Sequence, residues 1–261
     1  MRIAVVTGGS SGIGAGIARA LAQRGWQCVL VARRPERLER VAEKLGAEAE
    51  PCDVGDRTAV ENLAARVAER HPAVHLLVNN AGIPAGGRFV DVGAERIEQV
   101  IRTNYLGSVW CTLAFLPLLE AGAPSQIVNL VSIAGLVSRG SYGPYTAAKH
   151  AQLAFSRSIA RELAPRGIDV LTVNPGPVAT EGFPQDELLE RKLASRTVLR
   201  PDEVAARVMG ALDRGRAETV LPRYLRALAV AEAVAPTLVG KLLSRASGRA
   251  AAPRAREQPP Q

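Results

Sequence analysis

The sequence predicts an α/β protein in which a doubly wound parallel sheet of about seven strands carries helices on both faces. The first observation is a series of short runs rich in Val, Leu and Ile with almost no charge, which is typical of strands covered on both faces. The second is that longer amphipathic segments alternate with these runs over the first 222 residues. The third is a length of 261 residues, 47% of them hydrophobic, which is enough for one large domain with a substantial core.

The predicted elements alternate along the chain. Strands are expected at residues 3–7, 28–32, 76–78, 127–131 and 168–173, with a last strand at 218–221. Helices are expected at residues 13–24, 35–45, 57–70, 94–120, 145–164 and 201–213. Pro35 and Pro201 support two of these starts, because the first turn of a helix tolerates proline.

The pattern changes after Pro222, which divides the chain into three parts. Residues 1–222 form the predicted α/β domain, 223–248 an apolar helical extension with basic flanks and a break at Pro236, and 249–261 a disordered tail. Two interpretations of the extension stay open. It is a peripheral membrane anchor with its arginines against anionic lipid, or a helix pair packed over the entrance to the functional site or against a neighbouring subunit.

Charge and composition exclude several classes of function. The net charge is +8, but seven Arg and Lys against two Glu lie between Arg223 and Gln261, so the rest of the chain is only weakly basic. No basic element interleaved with aromatic residues is present, so we expect no nucleic-acid binding. The three cysteines and three histidines lack metal-ligand spacing, which predicts reduced core thiols and no metal.

Targeting and membrane-spanning signals indicate where the protein is located. Residues 1–8 show no charged leader followed by an apolar stretch and a cleavage site. No run of about 20 uninterrupted apolar residues suggests a spanning helix. We therefore expect a cytoplasmic protein, peripheral to a membrane if the extension is an anchor.

A glycine-rich turn joins the first predicted strand to the first predicted helix. Residues 7–14 read Thr-Gly-Gly-Ser-Ser-Gly-Ile-Gly. Glycines allow a sharp turn and let a pyrophosphate approach the backbone, while the helix N-terminus offers free N–H groups and a partial positive charge. We therefore predict a dinucleotide site at this turn, with six residues contributing: Gly8, Ser10, Ser11, Gly12, Ile13 and Gly14.

This motif and several later ones resemble the short-chain dehydrogenase/reductase family. The others are Asn79-Asn80-Ala81-Gly82, Asn104, Ser132, Tyr145 with Lys149, and the run from Asn174 to Thr180. The resemblance implies a single-domain Rossmann fold, a nicotinamide cofactor, and Asn104, Ser132, Tyr145 and Lys149 as catalytic residues. It also implies that Asp53 and Val54 flank the adenine, that Asn80, Ala81 and Gly82 lie under its ribose, and that Pro175, Gly176, Val178 and Thr180 hold the carboxamide.

The end of the second predicted strand indicates which nicotinamide cofactor is used. Sites for NAD usually place a carboxylate here to bind the ribose 2′-hydroxyl. By the family pattern that position is Ala32, and Arg33 follows it. Because a guanidinium is planar and permanently charged, it suits a 2′-phosphate. We therefore expect NADP(H).

Tyr145 and Lys149 are four residues apart at the start of a predicted helix, so their side chains share one face. A tyrosine has a pKa near 10, and lowering it to about 7 requires roughly 4 kcal/mol of preference for the phenolate. A unit positive charge a few ångströms away is worth about that much at an effective dielectric near 20. The resemblance further implies that Lys149 reaches the nicotinamide ribose and that Asn104 holds a water linking Lys149 to solvent.

The predicted function is interconversion of a carbonyl and an alcohol by hydride transfer, with Tyr145 as the general acid and base. The segments expected to border the pocket are 133–142 and 179–198. The first of them is mostly apolar, which favours an apolar substrate such as a 3-oxoacyl chain or a keto-steroid over a sugar phosphate. The alternative is a non-catalytic NADP-binding redox regulator. An epimerase or dehydratase of the extended branch is disfavoured by the glycine spacing and the length. Long apolar helices predict a homodimer or homotetramer.

Overall fold

A computed structural model describes residues 1–138, 142–183, 185 and 197–247. Its centre is a seven-stranded parallel sheet in the order β3-β2-β1-β4-β5-β6-β7. This confirms the predicted doubly wound Rossmann-like sheet. The strands are β1 (Ile3–Thr7), β2 (Gln27–Ala32), β3 (Glu48–Pro51), β4 (Leu76–Asn79), β5 (Ser125–Leu130), β6 (Ile168–Pro175) and β7 (Glu218–Leu221).

Helices cover both faces of the sheet. They are α1 (Gly12–Ala22), α2 (Pro35–Leu45), α3 (Arg57–Arg70), α4 (Ala94–Ile101), α5 (Gly107–Ala121), α6 (Gly143–Leu163), α7 (Pro201–Leu212), α8 (Leu225–Val234) and α9 (Pro236–Ser247). One core lies under α1, α2 and α7, where Ile17, Leu38 and Val208 are fully buried. The other lies under α3, α5 and α6, where Leu63 and Phe115 are fully buried. Because strand side chains alternate between faces, each strand contributes to both cores.

Strand β3 is the element that the apolar pattern did not reveal, because it carries Glu48 and Glu50. Glu50 is nevertheless buried, and its carboxylate accepts hydrogen bonds from Arg66 (2.9 Å) and from Arg70 on α3. His71 lies 2.7 Å from the Glu48 carboxylate. Tertiary ion pairs therefore stabilise a strand whose local sequence is charged.

The predicted helix over residues 94–120 is three elements. Helix α4 ends at Ile101, a π-helical turn spans Arg102–Leu106, and α5 begins at Gly107. A π turn widens the helix by one residue and is frequent at functional sites. Here it carries Asn104, which is fully buried.

The residues after Pro222 include the helices α8 and α9, and Pro236 begins the second of them. Large apolar side chains on both helices are exposed, among them Val230, Val234 and Leu238. Within the described residues, neither these helices nor any other combines the length and hydropathy that a bilayer span requires. Residues 249–261, the predicted disordered tail, lie outside the described residues, and the division at 222 and 248 stays a prediction.

Candidate active site

The predicted site residues follow the carboxyl ends of the strands, so the parallel sheet brings their loops to one edge. The glycine turn follows β1, Arg33 follows β2, Asn80 follows β4, Ser132 follows β5 and Gly176 follows β6. Strand order reverses between β1 and β4, which is where open α/β sheets leave a crevice for ligands.

The glycine turn has a backbone that side chains would obstruct. Gly8 and Gly12 adopt φ values of +66° and +55°, which L-residues with a Cβ rarely adopt. A Cβ on Gly14 would lie 2.4 Å from the Gly8 carbonyl oxygen. Ser11 caps α1 without a side-chain hydrogen bond, and the first turn of α1 contains no acidic residue. The turn is therefore a bare, positively polarised cradle suited to a pyrophosphate.

Asn80 ties this turn to the loop after β4. Its side-chain amide donates to the Thr7 carbonyl at 2.9 Å, and its backbone N–H donates to the Thr7 hydroxyl at 3.0 Å. The Ala81 N–H donates to the same hydroxyl at 3.0 Å. Gly82 lies beside the Asn104 side chain. These contacts fix the geometry of the crevice floor.

The loops after β2 and β3 lie side by side. The Arg33 guanidinium is half-exposed and 4.0 Å from the Asp53 carboxylate. The same carboxylate accepts a hydrogen bond from the Gly55 N–H at 2.8 Å, while Val54 is buried. Arg33 is thus held loosely and faces solvent, where an anionic ligand can reach it.

The loop after β6 approaches the glycine turn from the other side. The Gly176 N–H donates to the Leu221 carbonyl at 2.6 Å, and Val178 is buried. Thr180 packs its methyl group against Gly12. The Thr180 hydroxyl accepts a hydrogen bond from the Phe183 N–H at 3.1 Å. Pro175 to Thr180 and the glycine turn therefore face each other across the crevice.

Ser132, Tyr145 and Lys149 form one cluster at this edge. Ser132 makes a side-chain hydrogen bond with Tyr145, and its Oγ also accepts from the Ala134 N–H at 3.1 Å. Lys149 lies one helical turn after Tyr145, with its Nζ 5.8 Å from the centre of the Tyr145 ring. Lys149 is only 4% exposed, and its Nζ donates to the Leu130 carbonyl (2.9 Å) and to Gln152 Oε1 (2.7 Å).

Burial governs the protonation of this cluster. It raises the pKa of Tyr145 to about 12, and the hydrogen bond from Ser132 offsets part of that rise. It lowers the pKa of Lys149 to about 7. Desolvation disfavours the charged form of each group, which explains the opposite directions. Tyr145 is therefore a neutral phenol at neutral pH, the state in which it can donate a proton. This differs from the sequence-based expectation that Lys149 lowers the pKa of Tyr145 toward 7, because burial outweighs it.

Asn104 lies at the back of the cluster on the π-helical turn. Its Oδ1 accepts from the Ile83 N–H at 2.7 Å, and its Nδ2 donates to the Ile83 carbonyl at 2.9 Å. Both polar atoms of the side chain are thus engaged by one residue. These two hydrogen bonds fix the orientation of the Asn104 amide against the loop after β4.

Comparison with known proteins decides the family. A family model described as short chain dehydrogenase matches residues 2–188. The chain belongs to the short-chain dehydrogenase/reductase family. Proteins of this family are oxidoreductases that bind nicotinamide cofactors and act on small molecules, and the chain is an oxidoreductase of this type.

Individual relatives cover most of the chain. A putative ketoacyl reductase of Streptomyces coelicolor is 35% identical over 241 residues, which covers 89% of this chain and 88% of the relative. An alcohol dehydrogenase of Thermococcus sibiricus, solved with 5-hydroxy-NADP, is 31% identical with a TM-score of 0.76 and covers 85% of this chain and 96% of that one. A short-chain dehydrogenase/reductase of Burkholderia phymatum, solved with NAD, is 27% identical with a TM-score of 0.80 and covers 91% and 94%.

The residues of this short-chain dehydrogenase/reductase fit a nicotinamide dinucleotide. A Cβ on Gly8 or Gly14 would fall within 2.6 Å of neighbouring protein atoms, so only glycine lets the turn close this tightly, and its backbone N–H groups at the start of α1 are the groups that would face a pyrophosphate. Arg37 reinforces the turn, because its Nε donates to the Ser10 carbonyl at 3.0 Å. The remainder of the Arg37 guanidinium pairs with Glu181 in the loop after β6.

Several residues of the site carry no sequence signal. The Phe183 ring packs edge-on against Tyr145, with centres 5.7 Å apart. Leu225 on α8 packs against Gly176, and Gln152 contacts Lys149. Arg37 and Glu181 are 144 residues apart in sequence. Such contacts depend on tertiary packing. Gln152 is the exception that the sequence could have indicated, because it is a polar residue on the apolar side of α6.

Proposed function

We propose that the protein is an NADP(H)-dependent oxidoreductase that interconverts a carbonyl and an alcohol on an apolar substrate, with Tyr145 as general acid and base. The observation that carries the proposal is the cluster itself. The Tyr145 hydroxyl is hydrogen bonded to Ser132, one helical turn from the buried Lys149, at the edge of the sheet that holds the glycine turn.

In the direction of reduction, the chain supplies a proton and a hydrogen bond. The bound cofactor supplies hydride to the carbonyl carbon. Tyr145 then donates its proton to the oxygen, and Ser132 donates a hydrogen bond to the same oxygen. Lys149 holds the nicotinamide ribose, and its charge stabilises the Tyr145 phenolate. Asn104 is proposed to hold a water that links Lys149 to solvent.

The remaining predicted residues are proposed to hold the cofactor. The glycine turn would hold the pyrophosphate, and Arg33 would pair with the 2′-phosphate. Asp53 and Val54 flank the adenine. The other proposed contacts are Asn80, Ala81 and Gly82 at the ribose and Pro175, Gly176, Val178 and Thr180 at the carboxamide.

A substrate panel followed by NADPH absorbance tests the proposal. The mostly apolar residues 133–142 and the relative named as a putative ketoacyl reductase support 3-oxoacyl thioesters as the first class to try, followed by keto-steroids and simple aryl ketones. Turnover of any of these supports the proposal. Tight NADPH binding with no turnover on the whole panel would support the non-catalytic regulator instead.

Self-association is expected, in a homodimer or a homotetramer. Leu113 on α5 is 60% exposed, which places an apolar side chain at the surface of a helix that relatives use across two-fold axes. Light scattering at micromolar concentration should give a mass of two or four chains. Leu113→Glu should lower that mass, whereas Glu39→Lys on the exposed side of α2 should leave it unchanged. A monomer mass for the unmodified protein would refute the expectation.

Helix α8 is proposed to form a wall of the substrate entrance. Leu225 packs on Gly176, and the Glu232 carboxylate accepts a hydrogen bond from the Ser138 N–H at 3.3 Å. Both partners belong to loops that follow the strands at the site. Truncation after Pro222 should therefore lower kcat/KM by at least about tenfold, because the pocket becomes open to water.

Co-sedimentation with anionic vesicles separates this proposal from membrane anchoring. If α8 is a wall, the full-length protein stays in the supernatant and the truncated protein loses turnover. If the extension is an anchor, the full-length protein sediments with vesicles, and the truncated protein stays soluble with normal turnover.

A further inference from the structure

Gln152 is a fully buried polar side chain that the proposed chemistry does not use. It lies on α6, three residues after Lys149, and its Oε1 accepts a hydrogen bond from Lys149 Nζ at 2.7 Å. Its Nε2 donates to the Ser108 hydroxyl on α5 at 2.8 Å. Ser108 is 5% exposed. The three side chains form a continuous hydrogen-bonded row from the core to the site.

Hydrogen-bond chemistry determines which end of the Gln152 amide faces Lys149. An ammonium group can only donate hydrogen bonds, so the carbonyl end of the Gln152 amide must face Lys149. The amide nitrogen then faces Ser108, whose hydroxyl can accept. A buried amide with both ends paired is held in one orientation, since reversing it would leave two buried groups without partners.

We propose that Gln152 is a positioning residue for Lys149: its carbonyl, together with that of Leu130, anchors the ammonium at the back of the active site, and Ser108 fixes the Gln152 amide. The inference rests on the proposed function, in which Lys149 serves Tyr145. A lysine ammonium sits on a flexible stem of four carbons and has three N–H donors. Leu130 and Gln152 take two of them, which leaves one donor for the nicotinamide ribose of the proposed function.

The two carbonyl acceptors also affect the protonation of Lys149. Burial disfavours the ammonium of Lys149, whereas two carbonyl dipoles favour it. No titratable side chain on the described elements packed against α6 shifts the pKa of Lys149 through its charge. Those side chains are Tyr145, His150, Arg157, Arg161 and Glu162 on α6 itself, and Glu95, Arg96, Glu98, Arg102, Tyr105, Cys111, Glu120, Arg166, Asp169 and Glu218 on its neighbours. Neutral carbonyl acceptors therefore stabilise the buried ammonium of Lys149, a role that a carboxylate has in a buried ion pair.

The test uses Gln152→Met, which keeps the length and volume of the side chain and removes the carbonyl. The matched control is Ser156→Ala, one turn further along α6, because Ser156 is equally buried but bonds to Asn129 and Thr172. The protein is labelled with ¹³C at the lysine ε-carbons, and Lys149→Met assigns the Lys149 signal. Titration by NMR then reports the pKa of Lys149 without any substrate.

Gln152→Met should lower the pKa of Lys149 by about one unit, because the charged form loses one of its acceptors. Ser156→Ala should leave that pKa unchanged. With a substrate in hand, kcat for reduction should fall about tenfold in Gln152→Met with little change in KM. Its decline toward alkaline pH should begin about one unit lower, because the ammonium is lost at a lower pH.

An unchanged Lys149 pKa in folded Gln152→Met overturns the proposal. If that variant does not fold, Ser108→Ala tests the proposal instead, because it keeps Gln152 but removes the hydroxyl that holds the Gln152 amide in one orientation. A smaller shift in the same direction supports the proposal, and no shift overturns it. The NMR titration gives these answers even if the unmodified protein turns over no carbonyl with NADPH, an outcome that would instead count against the proposed function.

Discussion

Tyr145→Phe is expected to lower kcat for carbonyl reduction by roughly 10²- to 10⁴-fold, the usual contribution of a general acid. Burial keeps the pKa of Tyr145 near 12, so the phenol holds its proton throughout the neutral range and is ready to donate it. Phenylalanine keeps the ring that packs against Phe183 and removes only the hydroxyl that meets Ser132. NADPH affinity should therefore change less than about twofold.

Tyr142→Phe is the matched control, because Tyr142 is nearby and exposed and lacks a lysine four residues later. It should retain most of the activity. Initial rates on a substrate that the unmodified protein reduces, with NADPH affinity measured by fluorescence, separate the two variants. Substantial turnover by Tyr145→Phe would show that another group donates the proton. In the opposite direction, alcohol oxidation requires the phenolate, so its rate should rise with pH.

The apolar pattern predicted most of the sheet but not its charged edge. Val5, Val29 and Leu77 lie in strands covered on both faces, and local sequence is enough to recognise them. Strand β3 was not predicted, because the partners of Glu48 and Glu50 come from α3, about 20 residues further along the chain. An ion pair between residues so far apart in sequence cannot be predicted from the local sequence of the strand.

The interruption before α5 also escaped prediction. Residues 94–120 keep a helical period through Arg102–Leu106, so nothing in the apolar spacing separates a π turn from an α-helix. Thr103 and Asn104 are weak helix formers, but a difference of a few tenths of a kcal/mol does not identify the turn. The buried contacts of Asn104 with Ile83 become visible only when the loop after β4 is in place.

The site followed the same division. The glycine turn, Ser132, Tyr145 and Lys149 could be predicted because each motif occupies a fixed place after a strand or at the start of a helix. The two acceptors of Lys149 could not. Leu130 contributes a backbone carbonyl, which any residue could supply, and Gln152 is one polar residue among many. Sequence thus indicated the proposed reacting groups more readily than the residues that contact them.

Arg33→Ala is expected to remove most of a preference for NADPH over NADH that we predict to be at least tenfold. A charge-assisted hydrogen bond from a guanidinium to a phosphate is worth about 1.5–3 kcal/mol, or roughly 10- to 100-fold in affinity. Arg33 is available for that role, because it is half-exposed and its contact with Asp53 is long, at 4.0 Å. Arg37 is less available, because it is already bound to Glu181 and to the Ser10 carbonyl.

Titration of each cofactor into the unmodified protein, Arg33→Ala and Arg34→Ala measures this preference. Arg34 is an exposed neighbour at the start of α2, so its removal tests whether general positive charge is enough. NADPH affinity should fall about tenfold or more in Arg33→Ala and less than about threefold in Arg34→Ala, while NADH affinity stays nearly constant in both. The NADPH affinity of the unmodified protein should also weaken more steeply with salt than its NADH affinity, because a 2′-phosphate pair is screened. Equal affinities for the two cofactors in the unmodified protein would refute the assignment of NADP(H). The absence of a carboxylate at Ala32 would then not be enough to select a cofactor with a 2′-phosphate.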